Sequence, residues 1–131
     1  MRVLFVCWGN AHRSPLAEAL LKKARPDWAV DSAGVSVSIP VAEEIREFLR
    51  RENAEQYLKK SPEHLSSKRL MDYDVIVAME NRYRDYVLSL CPDCKNKIVV
   101  WNVKDPFVDR ENAWKIYEQI KEKIVELAKL P

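Results

Sequence analysis

Cys7 and Arg13 stand six residues apart, with Ser14 following at once, and no other stretch of the chain is better suited to chemistry. Between them lie Trp8, Gly9, Asn10, Ala11 and His12. Gly and Asn tolerate unusual backbone angles, so a short loop here can turn successive backbone N–H groups inward as a nest for an anion. Ser14-Pro15 reads as a helix start, with Ser14 as N-cap and Pro15 in the first helical position. Such a helix adds the positive end of its dipole to the same spot. A tetrahedral oxyanion fits that cradle, and the Arg13 guanidinium can grip two of its oxygens at once. The positive surroundings favour the thiolate form of Cys7, which would lie beneath a bound phosphate, positioned to attack phosphorus. Taken alone, these residues leave a plainer reading open: a buried apolar Cys at a strand end beside a surface Arg.

Cleaving a phosphate ester needs a proton for the departing oxygen and then a base for the attacking water. Asp105, followed by Pro106, is the candidate, because Pro106 would hold Asp105 extended and aim its carboxylate consistently. By themselves the two residues read more simply as an Asp-Pro turn. Asp109, the nearest rival, suits a cap for the final helix. Cys91-Pro92-Asp93-Cys94 has the spacing of a redox dithiol and of half a zinc knuckle. His12 and His64 are the only histidines, which argues against a complete zinc set. A local Cys91–Cys94 disulfide and two reduced thiols at a turn both stay open. Trp8, directly after the candidate nucleophile, reads as a wall of the substrate groove, and His64 as a surface residue.

These candidates need elements to position them. Val3–Val6 is a continuous apolar run, as expected of a strand buried on both faces, and it delivers Cys7 at its end. Trp28–Ala33 reads as a second strand closed by Gly34, Val75–Met79 as a third buried one, and Ile98–Trp101 as a fourth. Helical spacing appears between them: Leu16, Leu20 and Ala24; then Val41, Ile45, Phe48 and Leu49, opened by Pro40. Tyr83, Tyr86, Val87 and Leu90 mark a third helix, and Trp114, Tyr117, Ile120, Ile124 and Leu127 the inner face of a last one. Alternating strands and helices imply an α/β fold: three layers, with a four-stranded parallel sheet and helices on both faces. The site then belongs at the carboxyl ends of the strands, where loops begin at Cys7, Gly34, Met79 and Asn102.

Composition narrows the class. With 131 residues against ~100–200 for a typical domain, residues 1–131 are expected to form one domain. Hydrophobics at 47% suffice for a core, and a net charge of only +2 argues against a dedicated nucleic-acid binder. No run reaches the ~18 apolar residues of a membrane span, and a strand-like run beginning at Arg2 leaves no room for a signal peptide. Three cysteines without regular spacing speak against a secreted disulfide framework. A soluble, cytoplasmic protein is expected.

The stretch VLFVCWGNAHRSPLAEA, residues 3–19, resembles the active-site signature of the low-molecular-weight protein tyrosine phosphatases, whose fold the thioredoxin-coupled arsenate reductases share. The similarity continues through Asp31-Ser32-Ala33-Gly34, Asp74–Met79 and Asp105-Pro106, in the family's order. The resemblance implies a phosphocysteine intermediate on Cys7, with Arg13 as transition-state clamp and Asp105 as general acid and then base. It implies a phosphate-binding loop after the first strand running Trp8, Gly9, Asn10, Ala11, His12, Arg13, Ser14, in which Asn10 holds the loop's shape and Ser14 hydrogen-bonds the thiolate. Trp8 and Phe107 would line the substrate pocket, for a phosphorylated protein or small phosphoester, with neither metal nor cofactor. Four positions depart from the pattern. His12 replaces a Cys that in many members can protect the nucleophile as a disulfide. Ala11 is neither the larger aliphatic residue of the tyrosine phosphatases nor the Thr of the arginine-phosphate phosphatases. Val108 replaces the second aromatic after Asp-Pro, and Met79 stands where the reductases carry a relay Cys. Arsenate reduction, phosphoarginine hydrolysis and phosphoprotein binding without turnover are the alternatives.

Overall fold

The apolar runs pair as one parallel sheet of four strands, β1 (Arg2–Cys7), β2 (Ala29–Gly34), β3 (Val75–Ala78) and β4 (Ile98–Val100), in the spatial order β2-β1-β3-β4. The computed structural model describes residues 1–131. In β1 every residue after Arg2 is buried, which is why its run is apolar without alternation. The register sets Cys7 beside Gly34 and Val6 beside Ala78. From β1 the chain travels outward to β2 and then returns to β3 on the other side. The order of strand addition therefore switches between β1 and β3, the point at which a crevice opens at the carboxyl ends of the strands.

Helix α1 (Arg13–Ala24) packs on β1, β2 and the last helix, α4 (Ala113–Leu127), whereas α3 (Asn81–Leu90) packs on β3 and β4. Right-handed crossovers running in opposite directions put α1 and α3 on opposite faces. Helix α2 (Glu43–Arg51) buries Ile45, Phe48 and Leu49. The Phe48 ring meets Trp114 and Tyr117 edge-on at 5.2 and 5.7 Å. One hydrophobic core underlies all four strands. No helix is long and apolar enough to cross a membrane.

Several expectations need correction. Strand β4 ends at Val100 rather than Trp101 and lies at the sheet edge, where Val99 is 47% exposed. Helix α2 starts at Glu43, not Pro40. The preceding backbone stays extended so that the Ala42 N–H can donate to the Ala11 carbonyl, 2.9 Å away. Helix α3 ends before Cys91 as expected, with Tyr83 and Val87 buried and Tyr86 and Leu90 exposed. Helix α1 begins at Arg13, with His12 at the N-cap and no capping side chain, since Ser14 lies inside the first turn with its hydroxyl engaged elsewhere.

Candidate active site

Three carbonyls of the loop after β1 are bonded from outside it. Val35 N–H donates to Cys7 (3.2 Å), Ser36 N–H to Trp8 (2.8 Å) and Ala42 N–H to Ala11, while Leu16 N–H holds His12 at 3.1 Å. The loop's own N–H groups, from Trp8 to Ser14, donate to no acceptor in the protein. A row of unspent donors at a helix N-terminus is an anion site by construction. The left-handed residue in this loop is Asn10, at φ 52°, and not Gly9, where a Cβ would meet only ordinary contacts. Gly34 is the glycine the loop depends on. A Cβ there would lie 2.7–2.8 Å from the backbone of Trp8, Gly9 and Asn10, so the loop rests directly on the bare end of β2.

Asn10 is fully buried and its amide orientation is set by the Glu63 N–H, which donates to Oδ1 at 2.8 Å. Both hydrogens of Nδ2 are then committed, to Ser14 Oγ at 2.8 Å and Ser32 Oγ at 2.9 Å. Ser14, already accepting, has its own hydrogen free for Cys7 Sγ at 2.9 Å. Ser32 passes its hydrogen to the buried carboxylate of Glu18, 2.6 Å away, and Lys59 closes the network on the Ser32 carbonyl (2.8 Å) and Glu63 (2.9 Å). Sequence reasoning missed Glu18, Lys59 and Glu63. The available signal was the four-residue offset of Glu18 from Ser14 on one helix face.

Arg13 is buried and nearly saturated. Its Nη1 donates to Glu80 Oε2 (2.5 Å) and the Val103 carbonyl (2.9 Å), and its Nη2 to the Tyr83 hydroxyl (2.8 Å). What remains is the edge formed by Nε and the second Nη2 hydrogen, the bidentate edge an oxyanion needs. Burial of the guanidinium lowers its pKa, but the facing Cys7, Glu80 and Tyr83 outweigh that and leave it raised. Burial raises the pKa of Glu80, yet hydrogen bonds from Arg13 and Tyr83 hold it below the usual carboxylate range. Burial pushes Tyr83 up to about 12, so its phenol stays protonated, donating to Glu80 at 2.9 Å. Glu80 and Tyr83 were also missed, although Glu80 directly follows β3 at the site's own sheet edge.

Asp105 approaches from the loop after β4. Its Oδ2 lies 3.6 Å from Arg13 Nη2, and its Oδ1 accepts the Phe107 N–H at 2.9 Å. Asp109 turns away to Asn112 at 3.0 Å and caps no backbone N–H of the last helix, contrary to its expected role. Cys7, Trp8, Ala11, Arg13, Asp105 and Phe107 share one pocket of about 250 Å³, which His12 also lines. Trp8 and Phe107 are its exposed aromatic walls. His12 meets the Phe107 ring edge-on at 5.7 Å. Its pKa is lowered, chiefly by burial and further by Arg13, against the opposing pull of Asp105 and Glu44.

The other cysteines lie apart from the pocket. Cys91 and Cys94 are joined as a disulfide that closes the turn after α3, leaving Cys7 as the one free cysteine. His64 is exposed and accepts from the Ser66 N–H. Met79, at the relay position, is fully buried.

Residues 2–130 match the family profile described as low molecular weight phosphotyrosine protein phosphatase. The chain is 31% identical over 108 residues to the low molecular weight protein-tyrosine-phosphatase Wzb of Escherichia coli K12, covering 76% of this chain and 68% of that one. It is 28% identical over 120 residues to the probable phosphatase AmsI of Erwinia amylovora, covering 86% and 83%. Its fold superposes on Vibrio vulnificus Wzb in complex with benzylphosphonate with a TM-score of 0.85 at 25% identity, over 98% and 97% of the chains. It superposes equally, at 0.85 and 26% identity over 98% and 90%, on the YwlE arginine phosphatase of Geobacillus stearothermophilus.

Proposed function

The chain belongs to the low molecular weight phosphotyrosine protein phosphatase family, and from that premise we propose that it hydrolyses phosphotyrosine through a phosphocysteine on Cys7. The observation that carries this reading is the floor of the pocket. Cys7 Sγ accepts from Ser14 beneath seven unspent backbone N–H groups, beside the free edge of Arg13. A phosphate monoester bound there would receive the loop's donors on its non-bridging oxygens and Arg13 on two of them. The Cys7 thiolate attacks phosphorus, the bond to the phenol oxygen breaks, and the Asp105 carboxyl gives that oxygen its proton. Water then attacks the phosphocysteine, Asp105 as carboxylate takes a proton from it, and the S–P bond breaks to release inorganic phosphate and the thiolate. Asp105 Oδ2 lies 3.6 Å from Arg13 Nη2, so the carboxyl and the clamp reach the same bound ester. No step calls for a metal or cofactor, and residues 1–131 are read as the one domain that carries it.

Two aromatic walls, Trp8 and Phe107, support an aryl ester over a short alkyl one. The arginine phosphatase among the similar structures makes phosphoarginine the second reading. Against it, the pocket's only carboxylate is Asp105, which the proposed mechanism commits to proton transfer, so no second one is left to meet a guanidinium. The test is turnover of matched phosphotyrosine and phosphoarginine peptides, with acid quench and peptide mapping of the enzyme. Phosphate on Cys7 and a preference for the tyrosine peptide are expected. A preference for phosphoarginine would overturn the substrate assignment, and turnover with no phosphate on Cys7 the mechanism.

A further inference from the structure

We propose that Arg82, in the first turn of α3, sets the aryl preference of the pocket by clamping the Trp8 indole in place as its wall; this rests on the phosphotyrosine reading above. Trp8 lines the 250 Å³ pocket, and Arg82 lines a neighbouring groove of about 510 Å³, with Asp105 bordering both. The Arg82 guanidinium lies 5.5 Å from the centroid of the Trp8 ring, within reach of a cation–π contact that links the residues lining the two cavities. In the proposed arrangement the indole carries the cation on one face and offers the other to a substrate ring.

The clamp is itself anchored. Arg82 Nε donates to Glu80 Oε1 at 3.2 Å and Nη2 to the Tyr83 hydroxyl at 3.0 Å, while the guanidinium lies 5.0 Å from the Tyr83 ring centroid. Glu80 and Tyr83 are the side chains that hold Arg13. The wall that would meet the substrate's ring and the cation that would grip its phosphate are thus referenced to one carboxylate and one phenol. Trp8 has little else to fix it, being 41% exposed, with the Tyr83 ring 6.4 Å away as its other aromatic neighbour. Lysine could place a charge over the indole, but a single ammonium cannot reproduce the planar fork that spans Glu80 and Tyr83. Arg82 touches no reacting atom and is a positioning residue.

The test compares two ligands on the full chain. Inorganic phosphate engages the loop and Arg13 alone, whereas benzylphosphonate also extends a ring along Trp8. Arg82→Ala should weaken benzylphosphonate ~2–5-fold, the scale of one half-exposed cation–π contact, and phosphate less than ~2-fold. Arg82→Lys should recover part of the loss. Trp8→Ala should weaken benzylphosphonate more, and in that background Arg82→Ala should cost nothing further, which is the coupling expected of residues that act as a unit. Equal weakening of both ligands by Arg82→Ala would overturn the proposal and assign Arg82 to the support of Arg13. Independent, additive losses from Arg82→Ala and Trp8→Ala would overturn it as well. Absence of phosphate binding by the wild type would overturn the phosphatase reading beneath it, a distinguishable failure.

Discussion

Cys7 and Asp105 face one pocket from two loops that are held in different ways. Residues 7–14 are bonded to β2, to the strand-like approach to α2, and through Asn10 to Ser32 and Glu63, positions far away in the chain. Beyond Val103, whose N–H donates to the Met79 carbonyl at 2.9 Å, the Asp105 loop is bonded mainly to itself. The Asp105 side chain takes the Phe107 N–H, its carbonyl takes those of Val108 and Asp109, and Phe107 and Val108 are 54% and 83% exposed. The difference suits the proposed division of labour. An oxyanion cradle gains from donors fixed before the charge arrives. A group that must first give a proton to a leaving oxygen and later take one from water gains from room to adjust.

Removing chemistry from the pinned loop should have the largest effect. Cys7→Ser should abolish turnover while inorganic phosphate still binds, because the loop's N–H groups do not depend on the sulfur. Arg13→Lys should remain badly impaired, since a point charge cannot fork onto two oxygens. Near-wild-type rates on an aryl phosphate in either variant would sink the assignment. Oxidation sharpens the same point. Cys91 and Cys94 are bonded to each other and His12 stands where a resolving thiol would be, so a Cys7 sulfenate has no partner. Peroxide should inactivate without any disulfide to Cys7, and peptide mapping that joined Cys7 to Cys91 or Cys94 would refute this.

The Asp105 loop should respond selectively instead. Asp105→Asn should slow phosphoenzyme formation by ~10²–10⁴ for esters with poor leaving groups and only mildly for a nitrophenyl ester, whose phenolate departs unaided. Hydrolysis of the phosphocysteine should slow for every substrate, because all share it. Uniform rates across esters in Asp105→Asn, with losses in Asp109→Asn, would transfer the role to Asp109.

A backbone comparison comes next in size. Gly34→Ala sets a methyl group against three backbone atoms at 2.7–2.8 Å. Relief requires the whole loop to move, so a loss of about 1–3 kcal/mol is expected, with weaker phosphate binding. Pro106→Ala, in the locally bonded loop, should cost under ~1 kcal/mol, mostly through the greater freedom of the unfolded chain. Denaturant titrations showing equal costs would erase the distinction between the loops.

What could be read in the sequence follows the same division. Strands β1 and β3 were legible because burial on both faces leaves continuous apolar runs, whereas β4 has the same composition and lies at an edge that composition does not register. Cys7, Arg13 and Asp105 do converge on one pocket, as the order of the elements required. The network beneath them was not legible. Glu18 and Lys59 have the residue types of a solvated surface, and only tertiary packing turns them inward onto Ser32, while Glu63 reaches Asn10 through its backbone N–H, which no side-chain type announces. Ser14 shows how a correct residue can receive the wrong local role. Its type suits an N-cap, but its hydroxyl bonds Cys7 and Asn10, and the cap lies two residues earlier, at His12.

His12 belongs to the pinned loop and touches Phe107 of the other, so its titration should yield the smallest effect and the finest comparison. Burial, and then Arg13, lower its pKa from the ordinary 6.5 against the pull of Asp105 and Glu44. The folded protein therefore binds this proton less readily than the unfolded chain does. Its contribution to stability is fully present above pH ~6.5 and declines as pH falls through that value toward the folded pKa. His12→Asn should flatten the stability profile below about pH 6.5 relative to wild type. Measured against its effect on His12→Asn, which carries the titration of phosphate itself, bound phosphate should act the same way on wild type, since an anion beside the ring offsets Arg13 and favours the imidazolium. Thermal melts of both proteins across that range, with and without phosphate, read the difference directly. A phosphate effect on slope that is identical in the two proteins, or a wild-type slope that survives in His12→Asn, would mean that His12 does not sense the pocket it lines.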